Sequence, residues 1–430
     1  MNSRPTKTRW MLAYVMFFIT FMVYMDRVNL SVAAPEIMKE FGFTKMEMGY
    51  LQTAFFIGYS LMQVPGGIMT ELFGHRKIVP IAVALWSFFT ALTAWCTSLW
   101  SFLAMRFLFG IGEGPVYPAF NNYTARWFNK GEKAKANAFL VGGTFIGPVI
   151  GPVATVALIM SFGWRSAFIL FGLLGIIAGV LWWWLATDSP RENSRVNEAE
   201  IAHIESGVTQ LETKKKVAPW SNFLGSSQFW GIGIQYFIAD YIMYVFLAWL
   251  PLYLMEVHKF SLQKMGFAAS LPWIAIAVMT FVTGYLSDKL VSNGASKVKA
   301  RSYFGISGLV ICCGALYLAA IATTPTMNVL WMTISLGSLG MTFNASWTAC
   351  NDIGGQFSAS VSGWMNLCGN LGGVLAPITT AWIATQYGWQ MALLVTAASA
   401  IVGIVAWLAV KPDRQLTLDS EKQTGVSQFQ

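Results

Sequence analysis

Twelve long apolar stretches divide this sequence, and they constrain its fold more than any other feature. Residues 78–95 and 167–185 are continuously apolar, whereas the strands of a transmembrane β-barrel alternate between apolar and polar residues. A helix needs about 20 mostly apolar residues to cross a bilayer. Since 55% of the 430 residues are hydrophobic and only 11% are charged, we expect an all-α membrane protein with twelve transmembrane helices. The predicted spans are 10–35, 47–71, 78–98, 100–123, 136–161, 165–187, 229–255, 265–288, 302–323, 328–350, 359–385 and 389–410.

Most Lys and Arg residues fall in connections that would share one side of the membrane. If both termini are cytoplasmic, 21 of the 28 lie in cytoplasmic segments, five lie outside and two lie within spans. Cytoplasmic connections of membrane proteins carry such an excess of basic residues. The pattern predicts cytoplasmic termini and a multi-pass protein of the cell inner membrane. It also accounts for the formal net charge of +8 without a nucleic-acid partner.

The five cysteines give no sign of a metal or redox site. All of them lie in or beside apolar stretches, and none forms a CxxC pair, the spacing typical of such sites. The sequence also lacks a histidine-rich metal cluster, a nucleotide-binding loop and a nucleophile motif. We therefore expect no disulfide, no metal and no cofactor, and we do not expect an enzyme.

A polar segment at residues 188–227 separates six predicted spans from six others. Four residues of the first half recur at an offset of 225 positions in the second half. Duplicated six-helix halves are typical of transporters in which two bundles rock around a site near the bilayer midplane. The predicted organisation is a six-helix bundle at 1–187, a cytoplasmic linker at 188–227, a second six-helix bundle at 228–411 and a cytoplasmic tail at 412–430. The repeated residues are Gly147, Pro152, Gly163 and Trp164, matched by Gly372, Pro377, Gly388 and Trp389.

The connection after the second span reads Gly67-x-x-x-Glu71-x-x-Gly74-x-Arg76, and a weaker echo after the eighth span ends at Asp288. This motif resembles the signature of the major facilitator superfamily, and the resemblance implies a cytoplasmic gating latch. We expect Gly67 to allow two helices to approach closely. We expect Glu71 to place its negative charge at the N-terminus of a neighbouring helix.

Four ionisable residues lie inside predicted spans: Asp26, Arg27, Arg106 and Glu113. A charge at the bilayer centre costs at least about 2.5 to 3.5 kcal/mol, so such residues are functional candidates. Arg106 and Glu113 are seven residues apart, which returns to nearly the same helix face about 10.5 Å further along. Guanidinium groups bind carboxylates and stay charged in a dry site, whereas a desolvated carboxyl group can take up and release a proton. The four residues favour ion-coupled transport of an anion; the alternative is that they form structural ion pairs.

The same residues resemble a narrower group within the superfamily, the anion:cation symporter family. The matching features are Asp26-Arg27 followed by Asn29, and Arg106 followed seven residues later by Glu113. The resemblance implies that Asp26 and Glu113 couple protons, that Arg27 binds the substrate anion, and that Arg106 assists. It also implies a proton-coupled symporter that imports a small organic anion, such as a hexuronate, an aldonate or an aldarate.

Additional polar residues are expected at the substrate site. Tyr59 and Asn366 match polar ligands of the symporter family, and Tyr24 lies two residues before Asp26. Thr144 stands where a galactonate-type carrier would have Gln, which argues against galactonate itself.

The seventh predicted span adds Gln235, Asp240 and Tyr241 to the candidate substrate ligands. Asp240 shares a helix face with Tyr236 and Tyr244, at spacings of four residues. If Asp240 faces a cavity, it should repel a second substrate carboxylate or bind a sugar hydroxyl. If it lies near the outer end of the helix, it is merely solvated.

Other functions remain open from the sequence. The substrate could be an aromatic or another carboxylate, and sodium could replace the proton. The pattern Gly143-x-x-x-Gly147-Pro148 resembles a motif of drug/proton antiporters, although it is also typical of a kinked, closely packed helix. Two arginines near the centre argue against lipophilic cations. We expect a monomer in the lipid bilayer, as is usual in the superfamily.

Overall fold

A computed structural model of the protein describes residues 4–129, 131–206 and 219–416, and no β-strand occurs in these ranges. Part of the predicted linker, at 207–218, and the end of the predicted tail, at 417–430, lie outside the described residues. The helices of the first half are α1 (Thr8–Phe41), α2 (Lys45–Phe73), α3 (His75–Leu92), α4 (Leu99–Glu113), α5 (Val116–Trp127), α6 (Lys133–Phe162), α7 (Trp164–Leu185) and α8 (Glu198–Glu205). Those of the second half are α9 (Trp220–Leu224), α10 (Ser227–His258), α11 (Leu262–Ser292), α12 (Tyr303–Ile321), α13 (Pro325–Gly354) and α14 (Ser358–Leu408).

Eight helices of the described part of the chain are long and apolar enough to cross a membrane. They are α1, α3, α6, α7, α10, α11, α12 and α14. The remaining long helices, α2 and α13, have 29 and 30 residues, and either length exceeds the roughly 20 residues that a bilayer requires. The prediction of an all-α membrane protein is confirmed.

Two helix boundaries differ from the sequence prediction. The predicted span at 100–123 is divided into α4 and α5, which meet at Gly114 and Pro115. Proline has no amide hydrogen and disfavours the helical conformation of the residue before it, so an interruption at this point is expected. The two last predicted spans form the single long element α14, in which only Gly388 leaves helical geometry, with φ 82° and ψ 167°.

The helices form two compact units, which comprise Met1–Lys214 with Ser261–Ser270, and Lys215–Phe260 with Leu271–Gln430. In the first unit, α1 packs against α6 and α7, α2 packs against α4, and α3 packs against α4 and α7. In the second unit, α10 packs against α14, and α12 packs against α13 and α14. The helices that carry the four intramembrane charges, α1 and α4, therefore belong to the same unit.

The repeated tryptophans make equivalent contacts in the two halves. Each follows a glycine with φ of 82°. Trp164 Nε1 donates a hydrogen bond to Glu40 Oε2 at 2.8 Å, and Trp389 Nε1 donates one to Glu256 Oε2 at 2.7 Å. The sequence repeat therefore corresponds to a repeated tertiary contact, each time with a glutamate near the end of the first long helix of its half, α1 or α10.

The glycines of α6 serve close packing. A Cβ atom on Gly147 would lie 2.7 Å from Tyr24 Cβ and 2.8 Å from Phe21 O, and one on Gly143 would meet the side chain of Thr20. The helix remains continuous from Lys133 to Phe162. Its glycines therefore let α1 and α6 touch backbone to backbone, as expected of a closely packed helix.

Candidate functional site

The four charged residues predicted inside the membrane are all buried in the first unit. Asp26 and Arg27 lie on α1, Arg106 lies within α4 and Glu113 is its last residue. Their exposed fractions are 1%, 2%, 3% and 0%, respectively. Buried charges are tolerated only when they are paired or solvated by other polar groups, so their partners define the chemistry of the site.

Arg27 and Glu113 form a buried ion pair between α1 and α4. Arg27 Nε donates to Glu113 Oε1 at 2.8 Å, and Arg27 Nη2 contacts the same oxygen. Glu113 Oε2 is buried and has no hydrogen-bond partner within the described ranges. One carboxylate oxygen therefore holds the arginine, while the other oxygen remains available for a proton.

Aromatic rings surround the Arg27 guanidinium. Its Cζ lies 4.7 Å from the ring centroid of Tyr24, 5.0 Å from that of Phe55 and 4.8 Å from that of Tyr59. Cation–π contacts of this kind stabilise a desolvated cation without neutralising it. Tyr24 and Tyr59, which were predicted at the substrate site, therefore contact the predicted anion-binding residue.

Arg106 occupies a different environment from Arg27. Its Cζ lies 4.6 Å from the ring centroid of Phe109 and 5.1 Å from that of Phe55. Its Nε and Nη2 atoms are buried and have no hydrogen-bond partner in the described part of the chain. Arg106 interacts with Glu113 and Asp26 through longer-range attraction. The hydrogen-bonded partner of Glu113 is thus Arg27, although Arg106 shares a helix with it.

Asp26 is held by a residue that the sequence gave no reason to select. Trp86 Nε1, on α3, donates to Asp26 Oδ2 at 3.2 Å, and both side chains are buried. The backbone of Trp86 is also packed closely against α4: a Cβ on Gly112 would lie 2.6 Å from the Trp86 backbone nitrogen. Adjacent residues on α1 thus have separate partners, since Asp26 bonds to α3 and Arg27 to α4. Among 19 tryptophans, no local pattern distinguishes Trp86.

Two further candidates have polar partners within the first unit. Thr144 Oγ1 lies 3.0 Å from the hydroxyl of Tyr117, a residue that was not predicted. Gln63 Nε2 donates to the hydroxyl of Tyr59 at 3.2 Å. Tyr117 follows the break between α4 and α5, four residues after Glu113, and this spacing is the signal in the sequence that points to it.

The second unit contains the other predicted ligands. Gln235 accepts a hydrogen bond from Ser346 at 3.0 Å, and the hydroxyl of Tyr241 lies 2.9 Å from Thr379 Oγ1. Asn366 is half-buried on α14.

Asp240 is 6% exposed and lies in the middle of α10, so the interpretation as a solvated residue at the helix end is wrong. Its carboxylate packs against Gly369, where an added Cβ atom would collide with Asp240 Oδ2. Tyr236, on the same face, borders Gly369 as well, and its hydroxyl accepts a hydrogen bond from Trp347 Nε1 at 3.1 Å. Asp240 therefore belongs to a buried group of polar and aromatic side chains.

The predicted gating motif needs two corrections. The glycine of closest approach is Gly66, where a Cβ would lie 2.6 Å from Pro115 Cα; at Gly67 the nearest atom is at an ordinary 3.7 Å. Glu71 is exposed, and the carboxylate at the N-terminus of α3 belongs instead to Asp188.

Asp188 Oδ1 accepts a hydrogen bond from the backbone amide of Arg76 at 2.9 Å. Gly74 has φ of 81°, and a side chain at this position would collide with the Asp188 carboxylate. In the second half, Asp288 Oδ1 accepts from Arg301 Nη1 at 3.0 Å. A residue after α7 therefore supplies the helix-capping charge that was expected from Glu71.

Sequence comparison identifies the family of this helical protein. A sequence model described as the Major Facilitator Superfamily matches residues 16–377. The chain belongs to the major facilitator superfamily. Since members of this superfamily are membrane transporters, the protein is a transporter and not an enzyme.

This major facilitator protein is similar to named anion transporters over most of its length. It is 32% identical over 401 residues to "Probable anion transporter 4, chloroplastic" of Oryza sativa subsp. japonica, and the match covers 93% of this chain and 68% of that protein. It is 30% identical over 440 residues to "Probable galactarate/D-glucarate transporter GudP" of Bacillus subtilis (strain 168), covering 98% and 96%. The family resemblance predicted from the sequence is confirmed.

A solved structure shares the fold. The crystal structure of a bacterial homologue of the human lysosomal transporter Spinster matches with a TM-score of 0.79 and 18% sequence identity, covering 95% of this chain and 99% of that one. The likeness at this identity concerns the fold alone, and it confirms the major facilitator architecture.

Proposed function

We propose that this transporter imports a small organic anion, in particular a sugar acid, together with protons. The observation that carries the proposal is the buried ion pair of Arg27 and Glu113. A substrate carboxylate would bind the Arg27 guanidinium through two N–H donors side by side, and Glu113 now occupies one of the edges that offer such a pair. Glu113 and the substrate therefore compete for one cation.

This competition provides a physical basis for coupling. Protonation of Glu113 removes its negative charge and weakens its hold on Arg27, which becomes available to the substrate. Reciprocally, a bound anion favours the protonated form of Glu113, because the two effects are linked by one free energy. Proton uptake and anion binding would then occur together, as symport requires.

The charge balance of the site supports the same conclusion. In their ionised forms Asp26 and Glu113 balance Arg27 and Arg106, so the four buried residues then have no net charge. Adding a monovalent anion leaves one uncompensated negative charge in a region where such charges are costly. Adding one proton with the anion restores neutrality. Asp26 is the second proposed proton acceptor, since its Oδ1 is buried and has no hydrogen-bond partner in the described ranges.

The names of the relatives support an organic anion as the substrate. One relative is named for galactarate and D-glucarate and another simply as an anion transporter. The proposed ligands are mostly hydroxyl and amide groups: those of the first unit are Tyr24, Tyr59 and Thr144, and those of the second unit are Gln235, Tyr241 and Asn366, with Asp240 as a further polar group. Hydroxyls and amides suit the hydroxyl groups of a sugar acid, which must be hydrogen-bonded to bind strongly.

The proposed topology has twelve spans, cytoplasmic termini and a location in the cell inner membrane. The count treats α4 with α5 as one interrupted span and α14 as two spans separated at Gly388. The excess of Lys and Arg in alternate connections supports the orientation. We propose a monomer with residues 1–187 and 228–411 as its two bundles, and with Glu71, Arg76 and Asp288 in a cytoplasmic gating region.

Purified protein in liposomes tests the function. A thermal-shift panel of hexuronates, aldonates, aldarates, aromatic acids and lipophilic cations first identifies a ligand, since a ligand selective for the native state raises its stability. Uptake of that ligand is then measured under an inward proton gradient, under an inward sodium gradient and with a protonophore. We expect accumulation only with the proton gradient. Accumulation driven by sodium alone would overturn the proton assignment, and stabilisation by cations alone would overturn the anion assignment.

The Glu113→Gln variant tests the mechanism. Glutamine imitates the protonated carboxyl group, so substrate exchange should persist while gradient-driven accumulation is lost. Glu198→Gln, at an exposed position in the first turn of α8, is the control and should accumulate substrate normally. Full gradient-driven accumulation by Glu113→Gln would contradict the proposed coupling.

A further inference from the structure

Two consecutive tryptophans in the last turn of α7 are unusually exposed. The exposed fraction is 48% for Trp183 and 66% for Trp184, whereas their neighbour Trp182 is fully buried. Large exposed aromatic side chains at the end of an apolar helix are typical of the membrane–water interface, where the ring lies beside lipid headgroups. This pair marks one edge of the first unit.

An arginine lies against each of these tryptophans. Arg76 Cζ is 5.7 Å from the ring centroid of Trp183, and Arg195 Cζ is 4.8 Å from that of Trp184. The arginines come from different segments, the first turn of α3 and the connection after α7. Because the tryptophans are adjacent in α7, the two guanidinium groups lie at the same level of the unit.

Neither guanidinium group takes part in an ion pair within the described part of the chain. Asp188 contacts the backbone amide of Arg76, and the buried Nε of Arg76 has no hydrogen-bond partner there. Arg195 forms no ion pair in the described ranges. Nearby Arg191, by contrast, is paired with Glu205 through two hydrogen bonds of 2.8 and 2.7 Å.

We propose that Trp183 and Trp184, with Arg76 and Arg195, form a binding site for the headgroup of an anionic phospholipid. Guanidinium groups bind phosphate oxygens through paired N–H donors. Juxtamembrane basic residues attract anionic lipids of the cytoplasmic leaflet, and exposed indole rings pack against the glycerol and upper acyl regions. A soluble anion would use the two arginines but would gain nothing from the exposed rings.

The site goes beyond the proposed transport function and links it to the membrane. Arg76 belongs to the connection that resembles the gating motif of the superfamily. An anionic lipid at this position would hold α3, α7 and the segment containing Arg195 together. Lipid binding at this position does not depend on which substrate is transported.

Lipid binding can be measured on the purified full-length protein in neutral detergent. Cardiolipin or phosphatidylglycerol is added, with phosphatidylcholine as the zwitterionic comparison and inorganic phosphate as the soluble comparison, and the melting temperature is recorded. We expect the anionic lipids to raise the melting temperature more than either comparison. In the double variant R76Q/R195Q the apparent lipid affinity should fall on the order of 30-fold, because each basic residue near an anionic surface contributes about fivefold.

Arg191→Gln is the matched control, since it removes a neighbouring positive charge that is already paired; it should keep the lipid response. If the double variant folds poorly, the single variants R195Q and W184A, both outside the gating motif, provide the test. Each of them should weaken the stabilisation by anionic lipid. Equal stabilisation by phosphatidylcholine, equal stabilisation by inorganic phosphate, or an equal loss in Arg191→Gln would each overturn the proposal.

Discussion

Arg27 Nε lies 2.8 Å from Glu113 Oε1, although the two residues are 86 positions apart in the chain. The contact joins α1 to α4 inside the first unit and leaves Asp26, the neighbour of Arg27, to bond with Trp86 on α3. Under the proposed mechanism, Arg27 is therefore held by the carboxylate that a substrate would replace. The same geometry accounts for the stability of the buried Arg27 charge and for the proposed replacement of Glu113 by a substrate anion during transport.

The first prediction concerns the stability of this ion pair. Replacing Arg27 by Met keeps most of the side-chain volume but leaves the buried Glu113 carboxylate without its cation, which costs about 3 to 5 kcal/mol. The double variant R27M/E113Q removes both charges and should regain most of that loss. The free energy of unfolding in mixed micelles, measured for the wild type and the three variants, gives the coupling energy. Additive effects of the two single substitutions would contradict a direct buried pair.

The charged residues themselves could be predicted from the sequence, because an ionisable residue within an apolar stretch needs no structural context to be noticed. Their partners could not. The spacing of Arg106 and Glu113 correctly placed them on one helix, but hydrogen bonding depends on how α1, α3 and α4 are rotated around their axes. Asp188 illustrates the same limit, since it lies more than a hundred residues from the α3 terminus that it caps.

The second prediction concerns Trp86. In Trp86→Phe the ring packing is largely preserved, but the hydrogen bond to Asp26 is lost, at a cost of about 1.5 to 3 kcal/mol for a bond to a charged group. In an Asp26→Asn background, the same substitution should cost less, because the acceptor is neutral. Unfolding titrations of the four proteins test this expectation. Trp182→Phe is the control, since the Trp182 indole donates to the carbonyl of His75. The cost of this substitution should be the same in the wild-type and Asp26→Asn backgrounds.

The third prediction concerns substrate selectivity at Thr144. The threonine hydroxyl lies 3.0 Å from that of Tyr117, and the sequence resemblance described above implies Gln at this position in a carrier selective for galactonate. Thr144→Gln should improve the affinity for galactonate by about three- to tenfold, which is the effect of one added hydrogen bond. Thr144→Ser keeps the hydroxyl and should retain the wild-type selectivity. Ligand-dependent thermal shifts measure both, and identical selectivity in Thr144→Gln would remove Thr144 from the proposed site.

The fourth prediction concerns pH and the connection before α6. Arg9 donates to both carboxylate oxygens of Glu132 at 3.0 Å, and these hydrogen bonds lower the pKa of Glu132. Because the pKa of Glu132 is lowered, the ion pair contributes fully to stability above the ordinary glutamate pKa of about 4.3. The contribution is lost as pH falls through the lower pKa of the folded protein.

Glu132→Gln should therefore lower the free energy of unfolding by about 1.5 to 3 kcal/mol at pH 7, with a difference from the wild type that disappears towards pH 3. Melting temperatures between pH 3 and pH 8 test this dependence. Glu205→Gln, which removes the partner of exposed Arg191, should change stability by no more than about 1 kcal/mol. A penalty for Glu132→Gln that does not depend on pH would contradict the assignment.

The last prediction uses the internal repeat. Gly147 and Gly372 are separated by the repeat offset, and each lets two helices touch: a Cβ on Gly147 would lie 2.8 Å from Phe21 O, and one on Gly372 would lie 2.6 Å from Phe237 O. Because backbone atoms cannot move aside without separating the helices, Gly147→Ala and Gly372→Ala should each destabilise the protein by about 1 to 3 kcal/mol. Gly314 lies in the helix α12 with no atom within 4 Å of an added Cβ, so Gly314→Ala should stabilise it by about 0.5 to 1 kcal/mol. Unfolding measurements on the three variants separate close packing from helix propensity, since propensity alone would make all three substitutions stabilising.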